Sequence, residues 1–213
     1  MGESSRARGA RLNEMLSAAG LERLDPDLAE RFGDYCSLLM RWNARTNLTA
    51  VRDEEGILSR HFMESVACAR ALPAGIGALL DFGSGAGFPG IPIALCRTEI
   101  AVTLAESQGK KAAFLREAVR MLGLSSTVHS GRAERLASQF DCVTLRAVDR
   151  MDLAVKVAMG LVAPGGLLAL MTTMAEFERL QAELGAGLSW LEPWQLPGSR
   201  TGIVALARVP IGG

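Results

Sequence analysis

Between Arg11 and about Leu72 the apolar residues return at helical spacing: Leu12, Met15 and Leu16, then Leu28, Phe32, Tyr35, Leu38, Leu39 and Trp42. That period predicts amphipathic helices. Asp25-Pro26 has the chemistry of a helix start, a capping oxygen followed by a residue with no N–H to leave unpaired. After Pro73 the pattern changes to short β-rich runs, ALLDF, AVTLAE, STVHS, CVTLRA, GLLALM and a C-terminal GIVALARV, separated by helix-sized segments. Strands alternating with helices predict an α/β fold with a mainly parallel sheet covered on both faces. The chain therefore divides into a small helical N-terminal region, residues 1–72, packed on an α/β domain, residues 73–213. Residues 1–9 are polar and are expected to be mobile. Ligands of such sheets bind at the carboxyl ends of the strands.

Composition narrows the classes. A chain of 213 residues that is 49% hydrophobic suits one domain with a buried core. No stretch of about 18 uninterrupted apolar residues is present, and the N-terminus lacks an apolar signal core, so a cytoplasmic protein is expected, with no membrane partner. Cys36, Cys68, Cys96 and Cys142 are widely spaced and only two histidines accompany them, so neither a disulfide framework nor a metal site is expected. The 23 basic and 23 acidic residues cancel, so any nucleic-acid partner must be met by a local patch rather than by net charge. All basic residues except Lys110, Lys111 and Lys156 are arginines, whose planar fork suits phosphates and stacks on bases.

The candidate chemistry begins at LLDFGSGAGFPGIPIAL, residues 79–95. Gly85, Gly87 and Gly90 satisfy the G-x-G-x-x-G of a dinucleotide-binding turn, whereas Gly83, Gly85 and Gly87 satisfy the G-x-G-x-G of a methyltransferase turn. Either way the glycines follow the first strand, where they can adopt angles that residues with a Cβ avoid, and Gly87 lets the chain approach a ligand closely. Pro89 fits the first turn of the following helix, and Pro92 points to an irregular or delayed start. The second strand ends in Glu106, 23 positions after Gly83, near the spacing of about 20 at which a carboxylate reaches ribose hydroxyls. The third run leads to Ala133-Glu134, placed to pack beside an adenine, and the fourth leaves Arg146 at its carboxyl end. Pro164-Gly165-Gly166 forms a turn directly before the fifth strand. A second mononucleotide unit to orient a hydride acceptor is not apparent.

In combination, WNARTNLT (42–49), HFMES (61–65), DFGSGAGFPGIPIAL (81–95), ESQGKKAAFL (106–115), GRAERL (131–136) and LRAV (145–148) resemble the RsmG (GidB) family of bacterial small-subunit ribosomal RNA methyltransferases. The resemblance runs from about residue 12 to residue 208. It implies a Rossmann-like class I fold, S-adenosylmethionine as methyl donor, and N7 of one guanine in the decoding region of 16S rRNA as acceptor. Carried over by position, the cofactor contacts fall on Gly83 and on Phe88, whose ring is placed to close over the ligand, on Glu106, Ser107 and Gln108, on Ala133 and Glu134, and on Arg146; the glycine pattern adds Gly85 and Gly87 as cofactor-binding candidates. Arg146 is also the residue nearest the transfer, with three open roles: binding an RNA phosphate, stacking on the guanine, or pairing with the cofactor carboxylate.

Lys110, Lys111, Arg116 and Arg200 are candidate contacts to the partner, 16S rRNA or the small subunit, and Asn43, Asn47 and His61 are placed near the crevice mouth. Trp42 is read as core, and His61 as a buried, hydrogen-bonded structural residue. Met171-Thr172-Thr173 departs from the Leu/Met-Lys-Gly that usually ends the strand in this family, which removes a basic group near the site. A monomer is the default expectation. Two alternatives stand beside the methyltransferase: an NAD(P)-binding oxidoreductase, and an RNA-associated protein that binds S-adenosylmethionine without catalysis.

Overall fold

The computed structural model of the chain describes residues 2–147, 150–184 and 187–211; Val148, the last residue of the LRAV stretch, lies outside them. The N-terminal region folds as α1 (Gly2–Ala18), α2 (Pro26–Asn43), the short α3 (Glu54–Ile57), a π-helical segment Leu58–Met63 and α4 (Glu64–Ala71). Helix α2 starts as its sequence predicts, with the Asp25 carboxylate accepting from the Leu28 N–H at 2.9 Å and Pro26 in the first turn.

The expectation of a mobile start is corrected, because α1 begins at Gly2. Ser5 is fully buried and its hydroxyl donates to Asp34 at 2.7 Å, while Arg8 reaches Glu54 and Ser37, both at 2.8 Å. The first two turns dock through small and polar side chains, so they leave no apolar period to read. A Cβ on Gly33 of α2 would fall within 2.6 Å of the Ser5 carbonyl carbon, a measure of how closely the two helices approach.

Strands β1 (Ala78–Phe82), β2 (Ala101–Glu106), β3 (Thr127–Ser130), β4 (Phe140–Arg146), β5 (Val162–Thr173) and β8 (Gly202–Arg208), with the two-residue β6 (Ser189–Trp190) and β7 (Trp194–Gln195), form one sheet. Its order is β3-β2-β1-β4-β5-β8-β6, with β7 paired to β8; β1 to β5 are parallel and β8 runs antiparallel to β5. The chain reverses its direction of travel across the sheet between β1 and β4, the crevice where open α/β sheets hold ligands.

Pro164, Gly165 and Gly166 lie inside β5 rather than in a turn before it. A register shift against β4, from Phe140 opposite Val162 to Cys142 opposite Leu167, takes up the irregular residues. Helix α5 (Gly90–Cys96) starts at once despite Pro92. A proline in the first turn lacks an N–H that would have no partner within the helix, so nothing delays the start.

One apolar cluster joins α1, α2 and the π-helical segment to α5 and α6 (Gly109–Met121) on one face of the sheet. A second packs α7 (Met151–Met159) and α8 (Met174–Leu184) on the other. The N-terminal helices thus share the core of the glycine-turn face. None of the described helices is long and apolar enough to cross a membrane.

Candidate functional site

The glycine turn leaves β1 with Gly83, Gly85 and Gly87 at φ of 70°, 57° and 91°, in the left-handed region that favours residues without a Cβ. Beside Gly85 a Cβ would meet nothing nearer than the Gly83 carbonyl oxygen at 3.9 Å, so this surface of the turn is open to a ligand. Glu106, at the end of β2, is buried, and its carboxylate binds two strand ends together. One oxygen accepts from the Gly85 N–H at 3.0 Å and the other from the Gln108 N–H at 2.7 Å. A carboxylate has about four acceptor positions, so each oxygen keeps one for another donor. The Glu106 carbonyl also accepts from the Gly131 N–H at 3.1 Å, which draws in the 3₁₀ turn Ala133–Arg135 with Ala133 buried and Glu134 exposed. Gly83, Gly85, Glu106, Ser107, Gln108, Ala133 and Glu134 therefore all follow the carboxyl ends of three adjacent strands.

Two residues of the turn serve otherwise than expected. At Gly87 an added Cβ would come within 2.5 Å of Ile91 and 2.6 Å of the Tyr35 hydroxyl, so its missing side chain makes room for the protein rather than for a ligand. Phe88 is 7% exposed, with its ring centroid 4.7 Å from His61 and 5.4 Å from both Tyr35 and Phe62. The ring supports the turn from within an aromatic cluster instead of closing over the crevice. Tyr35, which the helical pattern presents only as a core position, donates its hydroxyl to the Ala86 carbonyl and ties α2 to the turn.

Asp81 of β1 is 1% exposed; it accepts from the Thr144 hydroxyl at 2.9 Å and the Gly90 N–H at 3.2 Å. Burial pushes its carboxyl from the ordinary 3.8 up to about 6, against the pull of these hydrogen bonds. The unfolded chain loses this proton at lower pH than the folded one, so the group's contribution is fully present below pH 3.8 and is lost as pH rises through 6. Relative to Asp81→Asn, the wild type should lose about 2 kcal/mol of unfolding free energy between pH 4 and 7. Denaturant titrations of both proteins across that range measure it, and a difference independent of pH would contradict it.

Arg146, at the carboxyl end of β4, pairs with Glu64 at 2.7 Å, donates to Ser65 at 3.3 Å and to the Arg60 carbonyl, and is nearly buried. Burial lowers its pKa and Glu64 opposes the shift; burial raises that of Glu64, opposed by Arg146. His61 gives one ring nitrogen, Nε2, to the Thr49 hydroxyl at 2.7 Å, while Nδ1 is buried with no partner among the described residues. Burial, then Arg146 and Arg60, depress His61 to about 3, so the imidazole is neutral at physiological pH. A cleft of about 540 Å³ opens beside these groups, walled by Arg60, His61, Glu64, Arg146, Met151 and Met171. Thr172 and Thr173 line it at the end of β5, where their hydroxyls stand in place of the basic group that the sequence lacks. His61 links the two regions: its ring lies on Phe88, behind the glycine turn, and also borders the cleft.

The other candidates are not gathered so closely. Lys110 and Arg116 are exposed on α6, Lys111 half-buried there, and Arg200 exposed in the turn before β8. Asn43 is buried, its side-chain amide oxygen accepting from the Leu48 and Thr49 N–H groups, both at 3.0 Å, so it braces the loop after α2 instead of lining a mouth. Asn47 accepts from Arg52 on that loop. Trp42 is half-buried against Phe114 and donates to Glu117 at 3.0 Å. Glu64 and Thr49 were not singled out in the sequence; their partners lie 82 and 12 residues away, and no local period announces such pairs. Among the described residues no group of three or more His, Cys, Asp or Glu is placed to hold a metal ion.

A family model described as GidB, rRNA small subunit methyltransferase G, matches residues 28–191. The chain is 40% identical over 203 residues to a protein of Roseiflexus sp. (strain RS-1) named ribosomal RNA small subunit methyltransferase G, covering 88% of this chain and 86% of that one. A protein of the same name from Halorhodospira halophila is 46% identical over 164 residues, covering 76% and 75%. Among solved structures, cofactor-bound Rv0187 from MTB is similar with a TM-score of 0.64 at 18% identity, over 93% of this chain and 96% of that one. TrmN from Thermus thermophilus is similar with a TM-score of 0.58 at 21% identity, over 71% and 53%. At these identities the solved structures speak for the fold alone.

Proposed function

The chain belongs to the rRNA small subunit methyltransferase G family, and from that premise we propose that it takes a methyl group from S-adenosylmethionine and places it on N7 of one guanine in the decoding region of 16S rRNA. It is a methyltransferase of small-subunit rRNA, which replaces the oxidoreductase alternative. The observation that carries the cofactor assignment is the Glu106 carboxylate, fixed by the N–H groups of Gly85 and Gln108 with acceptor positions to spare beside an open glycine turn. Such a group fits the hydroxyls of a ribose, and the Ala133-Glu134 turn fits the base beyond it. When bound, S-adenosylmethionine supplies a methyl group on a positively charged sulfur.

Guanine N7 has a free lone pair and no proton, so the protein has no base to provide. The residues agree with that requirement. His61, depressed to about 3, is a weak base, and burial pushes the thiols of Cys36, Cys68 and Cys96 up to about 12, which keeps them protonated. What the chain supplies is placement and exclusion of water, the entropic part of catalysis. The target base has to leave its stack to enter a cleft between β4, β5 and the π-helical segment. Lys110, Lys111 and Arg200, which have no carboxylate partner among the described residues, are assigned to RNA phosphates, at separate points of the surface rather than in one patch.

Incubation with S-adenosylmethionine labelled in the methyl group and with unmodified ribosomal particles tests the assignment. Label should enter the RNA of the small subunit and not that of the large one. Cofactor binding without transfer to any ribosomal substrate would favour the non-catalytic alternative.

A further inference from the structure

We propose that the cleft beside Arg146 is a guanine-reading subsite, in which the Glu64 carboxylate accepts from the N1–H and the 2-amino group of the base while Arg146 holds it in position. The identification of the base rests on the proposed function; the geometry of the subsite does not. Glu64 lies on the cleft wall with its side chain 16% exposed, and its only hydrogen-bond donor among the described residues is Arg146, which engages Oε2. Oε1 has no protein partner there and is not sealed from solvent. Arg146 is nearly buried and takes its counter-charge from Oε2 of Glu64, which leaves Oε1 as an acceptor open to a ligand.

The chemistry of the remaining oxygen selects the ligand. A carboxylate is an acceptor only, and guanine is the purine whose Watson–Crick edge offers two adjacent donors. Adenine would bring the lone pair of its N1 against it, and the unpaired acceptors would count against binding. The lining suits a flat ring: Met151 and Met171, 9% and 4% exposed, and the neutral imidazole of His61 share the cleft with the hydroxyls of Thr172, Thr173 and Ser199. With its Watson–Crick edge on Glu64, the base has its N7 edge free. His61 borders this cleft and stacks on Phe88 behind the glycine turn, so the subsite and the turn are braced by one aromatic cluster. Glu64 is a specificity-determining residue in this reading, and Arg146 its positioning residue.

Binding of guanosine, inosine and adenosine 5′-monophosphates to the intact protein, saturated with S-adenosylhomocysteine, separates this role from a structural one. Inosine lacks only the 2-amino group. The wild type should bind the guanosine nucleotide about tenfold or more tighter than the inosine one, the loss expected for one hydrogen bond to a charged group. In Glu64→Gln that ratio should fall close to one, with S-adenosylhomocysteine affinity unchanged; Glu64→Asp should recover part of it. A carboxylate that merely braces Arg146 would weaken all three nucleotides by the same factor, and that result overturns the proposal, as does a wild type indifferent to the 2-amino group. If N7-methylguanine forms but the ratio does not respond to Glu64, the subsite fails and the activity stands. If the ratio responds but no N7-methylguanine forms, the activity fails and the subsite stands.

Discussion

Glu106→Ala is expected to weaken S-adenosylmethionine binding roughly a hundredfold or more. The substitution removes an anionic acceptor for two ribose hydroxyls, each such bond being worth about 1.5–3 kcal/mol. It also frees the Gly85 and Gln108 N–H groups, held at 3.0 and 2.7 Å, so the turn and the start of α6 lose the brace that aligns them. Glu106→Gln keeps one acceptor oxygen and should fall between wild type and alanine. Calorimetric titration with S-adenosylmethionine and S-adenosylhomocysteine measures all three proteins. Unchanged affinity in the alanine variant, with its melting temperature preserved, would place the ribose elsewhere.

Gly33→Ala should be the most damaging single methyl group far from the crevice. The added carbon would lie within 2.6 Å of the Ser5 carbonyl carbon, and backbone on both sides leaves no flexible side chain to give way. Helix α1 must move off α2, straining the Ser5 bond to Asp34 at 2.7 Å and the Arg8 contacts with Glu54 and Ser37 at 2.8 Å. Overpacking of this kind costs about 3 kcal/mol, which in a chain of this size lowers the melting temperature by about 6–12 °C. Ser5→Gly, which removes a side chain at the same crossing, should cost less. Calorimetric melts of the two variants check the order, and a Gly33→Ala protein that melts with the wild type would refute the close approach.

The same crossing shows what local sequence carries and what it does not. β1, β2 and β4, the glycine turn and Glu106 were legible because each is a short apolar run, a φ requirement or a fixed spacing, all properties of neighbouring residues. The first turns of α1 were not, since Ser5 and Gly9 are buried by virtue of their small size rather than apolar character. Gly87 was legible as a turn residue, but its reason, the Tyr35 hydroxyl and Ile91, belongs to the fold. Arg146 was legible as a cation at a strand end, yet its partner Glu64 lies 82 residues away and is visible only once the start of α4 lies against β4. Phe88 was legible as part of the turn but not in orientation, because its ring finds Tyr35, Phe62 and His61 on the inner side of the turn.

Mass spectrometry of 16S rRNA nucleosides and nuclease fragments, from cells with and without the gene, decides whether the chain makes the modification assigned to it. N7-methylguanine should be present at one decoding-region position, disappear on deletion, and return with the wild-type protein but not with Glu106→Ala. Its persistence in the deletion strain would contradict the proposed activity.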